Sequence, residues 1–294
     1  MNRLRILSWD GIGIPRPCMS GSEKGSYFCA TPKMRRLKTI YRFVATLPLL
    51  LALPHGVSAI VFSFDDVNFP DGVLDQSFDI DPNNEGDDIR ISFTRDTDYF
   101  QTYDGQDSPY TSGLFGDGFT LDEDTLALLV NFTEDTMRVR VRIDFLYANG
   151  VSGVQIPIYD VDAGSDAGNN EFTFTDEVDR VRSRMDGNWT NFDASTVDLD
   201  PTTNAYSVSR NSIYGLTSTA NNADEGNILL EFEDTVMTRV TFDYRNYRPT
   251  TPDDPALQGI GLGDIVFEPI IPESSQYGLL VGLFVSSVCL MRRG

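Results

Sequence analysis

The chain reads as an all-β protein, an antiparallel β-sandwich of jelly-roll type, flanked by one apolar helix near each end. Three observations predict this. Between residues 60 and 270, short runs of alternating apolar and polar residues recur, separated by Asp, Asn, Gly and Pro, which is the pattern of half-buried strands joined by turns. No stretch in that range keeps a helical period. The number of runs, about ten, suits a domain of two packed sheets.

In chain order, Ile60 to Phe64 opens the series and Ile89 to Phe93 follows; Leu126 to Phe132 is more continuously apolar. From Met137 to Phe145, Met137, Val139, Val141, Ile143 and Phe145 alternate with Arg138, Arg140, Arg142 and Asp144, so one face enters a core and the other meets water. Further strands are expected at Val154 to Val161, Glu171 to Thr175, Ala205 to Ser209, Ile228 to Phe232, Thr238 to Tyr244 and Gly261 to Phe267. Two long loops are expected at Thr102 to Phe119 and Arg184 to Asn204, with a proline-stiffened connection from Arg248 to Pro255. The closing strand is expected to pair beside the first and tie the ends of the domain together.

The flanks carry targeting signals. Met34 to Arg42 is a basic stretch, Phe43 to Leu53 is apolar, and Val57-Ser58-Ala59 offers small residues for cleavage, the three parts of a signal peptide cut after Ala59 by signal peptidase. Such leaders begin at the start codon, so Met34 is the expected initiator and residues 1–33 a misassigned extension. The expected division is therefore 1–33 extension, 34–59 signal peptide, 60–270 β domain and 271–294 tail. In the tail, Pro272-Glu273-Ser274 precedes an uncharged run from Tyr277 to Met291 and then Arg292-Arg293. As a helix that run is about 22 Å long, enough to cross a bilayer if its arginines snorkel. An ordinary C-terminal anchor has the same basic end.

The order of parts, a Pro-Glu element, a short apolar helix and a basic end, resembles the PEP-CTERM sorting signal, here in a Pro-Glu-Ser-Ser variant. That resemblance is confined to the tail and the closing strand. It implies an exported protein of a Gram-negative bacterium, held in the inner membrane by its C-terminal helix until an exosortase-type enzyme processes it, and then placed at the cell surface or in the extracellular matrix.

Composition narrows the chemistry. The whole chain carries a formal charge of −21; residues 60–272 alone hold 12 arginines, no lysine and 41 acidic residues, a net charge of −29. A body this acidic repels nucleic acid and attracts cations, though acidic surfaces also serve solubility alone. The one histidine, His55, and all three cysteines, Cys18, Cys29 and Cys289, fall outside residues 60–272. Histidine- and cysteine-based catalysis and zinc sites are thereby excluded from the domain, leaving carboxylates and oxygen-ligated metals.

Asp160, Asp162, Asp166 and Glu171 occupy positions one, three, seven and twelve of a twelve-residue count, a spacing with carboxylates where a hard cation such as Ca²⁺ takes them. Gly164 and Ser165 break the EF-hand pattern and no helices flank it, so a β-hairpin loop is expected, either holding Ca²⁺ or simply turning. Trp189, the domain's single tryptophan, lies among Asn188, Thr190 and Asn191 in an expected loop, where it either stacks on a sugar or fills a core. The expected function is thus a non-catalytic exported surface or matrix protein; the alternatives are a carbohydrate-binding module for extracellular polysaccharide and, third, a carboxylate glycosidase, for which no local motif selects an acid pair.

Overall fold

The computed structural model describes residues 58–115, 124–166, 171–193, 197–220, 225–233, 235–247 and 256–270. The extension 1–33, the signal segment up to residue 57 and the tail with Pro272, Glu273 and Ser274 lie outside the described residues. Ser58 and Ala59 are described and exposed.

Strands β1 (Ile60–Phe62), β2 (Asp75–Phe78) and β3 (Ile89–Arg95) open the domain. The Gly- and Asp-rich segment expected as a loop carries β4 (Thr102–Tyr103), β5 (Gln106–Asp107) and β6 (Tyr110–Ser112). Asp104 and Gly105 turn there at positive φ of 49° and 86°. Strand β7 (Thr125–Val130) is buried at every position, β8 (Arg138–Phe145) keeps the alternation read from its sequence, and β9 (Val151–Tyr159) follows. Two short strands, β10 (Ser165–Asp166) and β11 (Glu171–Phe172), replace the longer strand expected up to Thr175.

The longest strand among the described residues, β12 (Asp176–Met185), is not predicted by the sequence pattern. Six of its ten residues are charged, and Val178 and Val181, its two buried apolar residues, stand three apart instead of two. A bulge between Asp179 and Arg182, with Arg180 at φ 53°, accounts for that spacing. The second expected loop contains β13 (Asn188–Asn191) and β14 (Val197–Leu199), and β15 (Asn204–Ser207), β16 (Ser212–Gly215), β17 (Ile228–Phe232) and β18 (Arg239–Asn246) follow. The closing strand is two, β19 (Gln258–Leu262) and β20 (Ile265–Pro269), split at Gly263-Asp264. A Cβ at Gly263 would lie 2.4 Å from the Tyr159 ring, and the Asp264 carboxylate accepts the Phe64 N–H at 3.0 Å, so the break is held from both sides.

All strand pairing is antiparallel. One sheet runs β1-β20-β9-β19-β7-β6, with β17 on β9 and β14 on β17; the other runs β15-β16-β12-β18-β8-β3-β2, with β13 on β12. The longer strands alternate between sheets along the chain, β3, β8, β12 and β18 in the second, β7, β9, β17 and β19 in the first. Their inner faces share one apolar cluster, to which Ile91, Val141, Ile143 and Phe242 come from the second sheet and Leu128, Val154, Ile158, Leu230 and Ile260 from the first. This packing is consistent with the expected sandwich. Ile60 pairs with Phe267, so the ends of the domain leave from neighbouring strands, as the sequence predicts.

Candidate functional site

Two polar features stand out on this scaffold, a cleft beyond the end of β9 and the outer face of the second sheet. Beyond Tyr159 the chain turns at Asp160, which sits at φ 60°, a conformation uncommon for a residue with a side chain. Asp160 and Asp162 converge on Thr219. The Thr219 N–H donates to Asp162 Oδ2 at 2.7 Å, and its hydroxyl lies 3.3 Å from Asp162 Oδ2 and 3.4 Å from Asp160 Oδ1. The Asp160 N–H is taken by Asn227 Oδ1 at 3.0 Å. Behind them lies Asp176, fully buried at the start of β12; its Oδ2 accepts the Asp162 N–H at 3.4 Å and its Oδ1 the Tyr244 hydroxyl at 2.6 Å.

Three carboxyls thus share a mostly dry corner with no arginine against them. Burial, and then the charge of Asp162, push Asp160 up to about 7. Burial pushes Asp162 up to about 6 although Thr219 opposes it, and burial, with Asp162 adding to it, holds Asp176 well above the carboxylate range. The backbone of Gly215 closes the corner, since a Cβ there would lie 2.2 Å from the Asp162 carbonyl carbon.

Asp160 and Asp162 line a cleft of about 340 Å³ whose other walls include Tyr103, Leu114, Leu129, Phe174, Leu257 and Gln258. Gln258 is 3 % exposed, with its amide toward the Tyr244 hydroxyl and no close hydrogen-bond partner among the described residues. Of the four residues expected to hold Ca²⁺, Asp160 and Asp162 meet here, whereas Asp166 and Glu171 stand opposite each other in the separate β10–β11 ladder. Among the described residues no three acidic, histidine or cysteine groups lie close enough together to hold a metal ion. Asp176, which also suits an additional cation ligand by its place 14 residues beyond Asp162, joins Asp160 and Asp162, whereas Thr219 and Gln258 come from segments far along the chain and no local spacing marks them.

The second feature comes from charge. All eleven arginines of the described residues lie in the second sheet or in the turn between β15 and β16, and the first sheet has none. Strand register sets them in cross-strand rows. One row runs Arg90, Asp144, Arg239, Arg184, Trp189; the next runs Asp75, Ser92, Arg142, Thr241, Arg182, Asn191; a third runs Thr94, Arg140, Asp243, Asp179. Asp243 alone serves Arg138, Arg140 and Arg180, at 3.4, 2.6 and 3.6 Å. Asp144 serves Arg142 and Arg239, and Asp75 pairs with Arg90. Arg95, Arg182 and Arg184 have no carboxylate partner among the described residues.

Trp189 is not in a loop. It lies on β13 opposite Arg184, is 43 % exposed, and carries the guanidinium carbons of Arg182 and Arg184 at 4.8 and 5.4 Å from its ring centre. The domain is therefore an all-β, two-sheet protein with an acidic cleft at one strand end and a basic, aromatic outer face. No family model, characterised protein or solved structure matches the chain.

Proposed function

We propose that this chain is a non-catalytic exported protein of a Gram-negative cell surface or extracellular matrix, cleaved by signal peptidase after Ala59 and sorted through its tail by an exosortase-type enzyme. The observation that carries the reading is the order of parts in the tail, Pro272-Glu273-Ser274, an uncharged run and two terminal arginines. Its β domain, free of histidine and cysteine and rich in surface charge, suits a life outside the cytoplasm. Pairing of β1 with β20 supports it too, because a domain closed at its own ends needs neither leader nor tail once they are removed. The finer topology we assign is the jelly roll, supported by two eight-stranded antiparallel sheets over one core.

A weak Ca²⁺ site at Asp160, Asp162, Asp166 and Glu171 is part of this reading, supported by the meeting of Asp160 and Asp162, whose mutual repulsion a hard cation would relieve. The carbohydrate-binding alternative gains one specific observation, the exposure of Trp189 on the outer side of a sheet. The glycosidase reading gains none: Asp160 and Asp162 leave one turn on the same side and share one hydroxyl, whereas glycoside cleavage needs carboxyls on opposite sides of the scissile bond. Mass spectrometry of the mature C-terminus tests the main reading. The wild type is expected to end near Pro272, and a precursor with Pro272→Ala and Glu273→Ala to keep its whole tail; an untrimmed wild type would reduce the tail to a plain anchor.

A further inference from the structure

We infer that the outer face of the second sheet is a binding surface for an acidic polysaccharide, gripped directly by guanidinium groups and by Trp189 without a bridging cation. The inference deepens the extracellular reading and rests on it for its biological setting.

Segregation of charge is the first support. A domain with 41 acidic residues has no need to collect its arginines on one sheet if they serve only solubility. Carboxylates on this face are outnumbered: Asp75, Asp144, Glu177, Asp179 and Asp243 stand against ten arginines, three of them without an acidic partner. Arg95 is held below the usual guanidinium range first by partial burial and then by the positive charges of Arg140 and Arg138, a sign of local positive excess.

Geometry is the second support. Neighbouring strands lie about 4.8 Å apart and alternate residues along a strand about 6.8 Å apart, so Arg182 and Arg184, with Arg239 beside them and held by Asp144, form an array spaced by the sheet, and the forked donors of the first two match carboxylate or sulfate groups repeated along a chain. Trp189 at the end of the row supplies an exposed ring for a sugar face. At the other end of β12, Tyr214 and Tyr247 stack at 3.8 Å with the Arg210 guanidinium 5.2 Å from the Tyr247 ring, a second aromatic and arginine group beside the same strand. A duplex nucleic acid is a poorer occupant: it is stiff and broad, and the acidic remainder of the domain repels what overhangs the sheet. A second copy of this chain offers acid but no regular array of it.

The test is binding of the full-length chain to immobilised polygalacturonate in EDTA, with neutral dextran and duplex DNA as controls. Expected are binding to polygalacturonate alone, weakening as NaCl is raised, and a loss of about tenfold or more for Arg182→Gln with Arg184→Gln, with the melting temperature lowered only by the lost contacts to the Trp189 ring, because these two arginines have no carboxylate to abandon. Trp189→Ala, on an exposed ring, is expected to weaken binding as well and serves if the double variant fails to fold. Equal binding to dextran or to DNA, wild-type affinity in both variants, or self-association that is lost in the double variant without any glycan binding would each overturn the inference. The assay is independent of sorting: an untrimmed tail sinks the export reading and leaves this one standing, and the reverse holds when the tail is trimmed but polygalacturonate is ignored.

Discussion

Arg140 and Asp243 face each other across β8 and β18, and the guanidinium grips both carboxylate oxygens, Nε to Oδ1 at 2.6 Å and Nη2 to Oδ2 at 2.9 Å. The Asp243 side chain is 1 % exposed while that of Arg140 is 22 % exposed, so the acid is the buried partner. It is also the shared one, since Arg138 and Arg180 lean on the same carboxylate. Removing it leaves three cations crowded together.

Asp243→Asn is therefore expected to destabilise the domain by about 3 kcal/mol, the usual cost of breaking a buried pair from one side. Arg140→Gln should cost clearly less, because Asp243 keeps two other arginines. Urea denaturation of both variants checks the order; equal losses would mean that the network is not centred on Asp243.

Gly215→Ala should act on the cleft through sterics alone. A Cβ 2.2 Å from the Asp162 carbonyl carbon meets backbone that has no rotamer to yield, and overpacking of this kind costs about 1 to 3 kcal/mol. The expected result is a lower melting temperature together with loss of any Ca²⁺ response. A variant as stable as the wild type would show that the corner is looser than its backbone contacts imply.

Calcium at millimolar concentration should stabilise the protein by about 1.4 kcal/mol if the site has a Kd near 10⁻⁴ M, a rise in melting temperature of roughly 3 to 5 °C. The measurement needs NaCl at matched ionic strength, since screening alone stabilises so acidic a domain. Asp160→Asn with Asp162→Asn should abolish the increment and leave the metal-free melting temperature level or raised. A double variant that still responds like the wild type places the cation elsewhere.

Stability in EDTA should fall as pH rises from about 4 to about 7. Asp160 and Asp162 have folded pKa values of about 7 and 6 against 3.8 in the open chain. The native state therefore binds more protons across that window, and the free energy of unfolding decreases with pH. Repulsion among the surface carboxylates works in the same direction, so the diagnostic is a difference: Asp160→Asn should show a shallower decline than the wild type in urea titrations at the two ends of the window. Parallel slopes would mean that Asp160 stays ionised in the fold.

Much of the architecture was legible because it rests on local alternation. Val139, Val141 and Ile143 point into the core and Arg138, Arg140 and Arg142 out of it, as a period of two requires. The turn-rich character of the segments between followed from the same reasoning, whereas the pairing of the first and last strands was expected from the resemblance of the closing strand and not from alternation. The closing strand was legible as strand but not as two, because Gly263 and Asp264 break it through contacts with Tyr159 and Phe64, which lie about 100 and 200 residues away in sequence.

What the sequence determined by itself was class and exclusion: an all-β domain without histidine or cysteine, strongly acidic, with carboxylates at Asp160 and Asp162 beside a strand end. What tertiary structure alone decided was company. Strand β12 does not show in the sequence pattern because a bulge at Arg180 shifts its inward residues from a spacing of two to three, and without β12 neither Asp176 nor the outer position of Arg182, Arg184 and Trp189 can be placed. The cleft needed Thr219 and Gln258 brought from 57 and 96 residues beyond Asp162, and the basic face needed the register of four strands to gather arginines that composition counts only as a minority in a sea of acid. Net charge is a sum over the chain, whereas a binding face depends on which charges the sheet sets side by side.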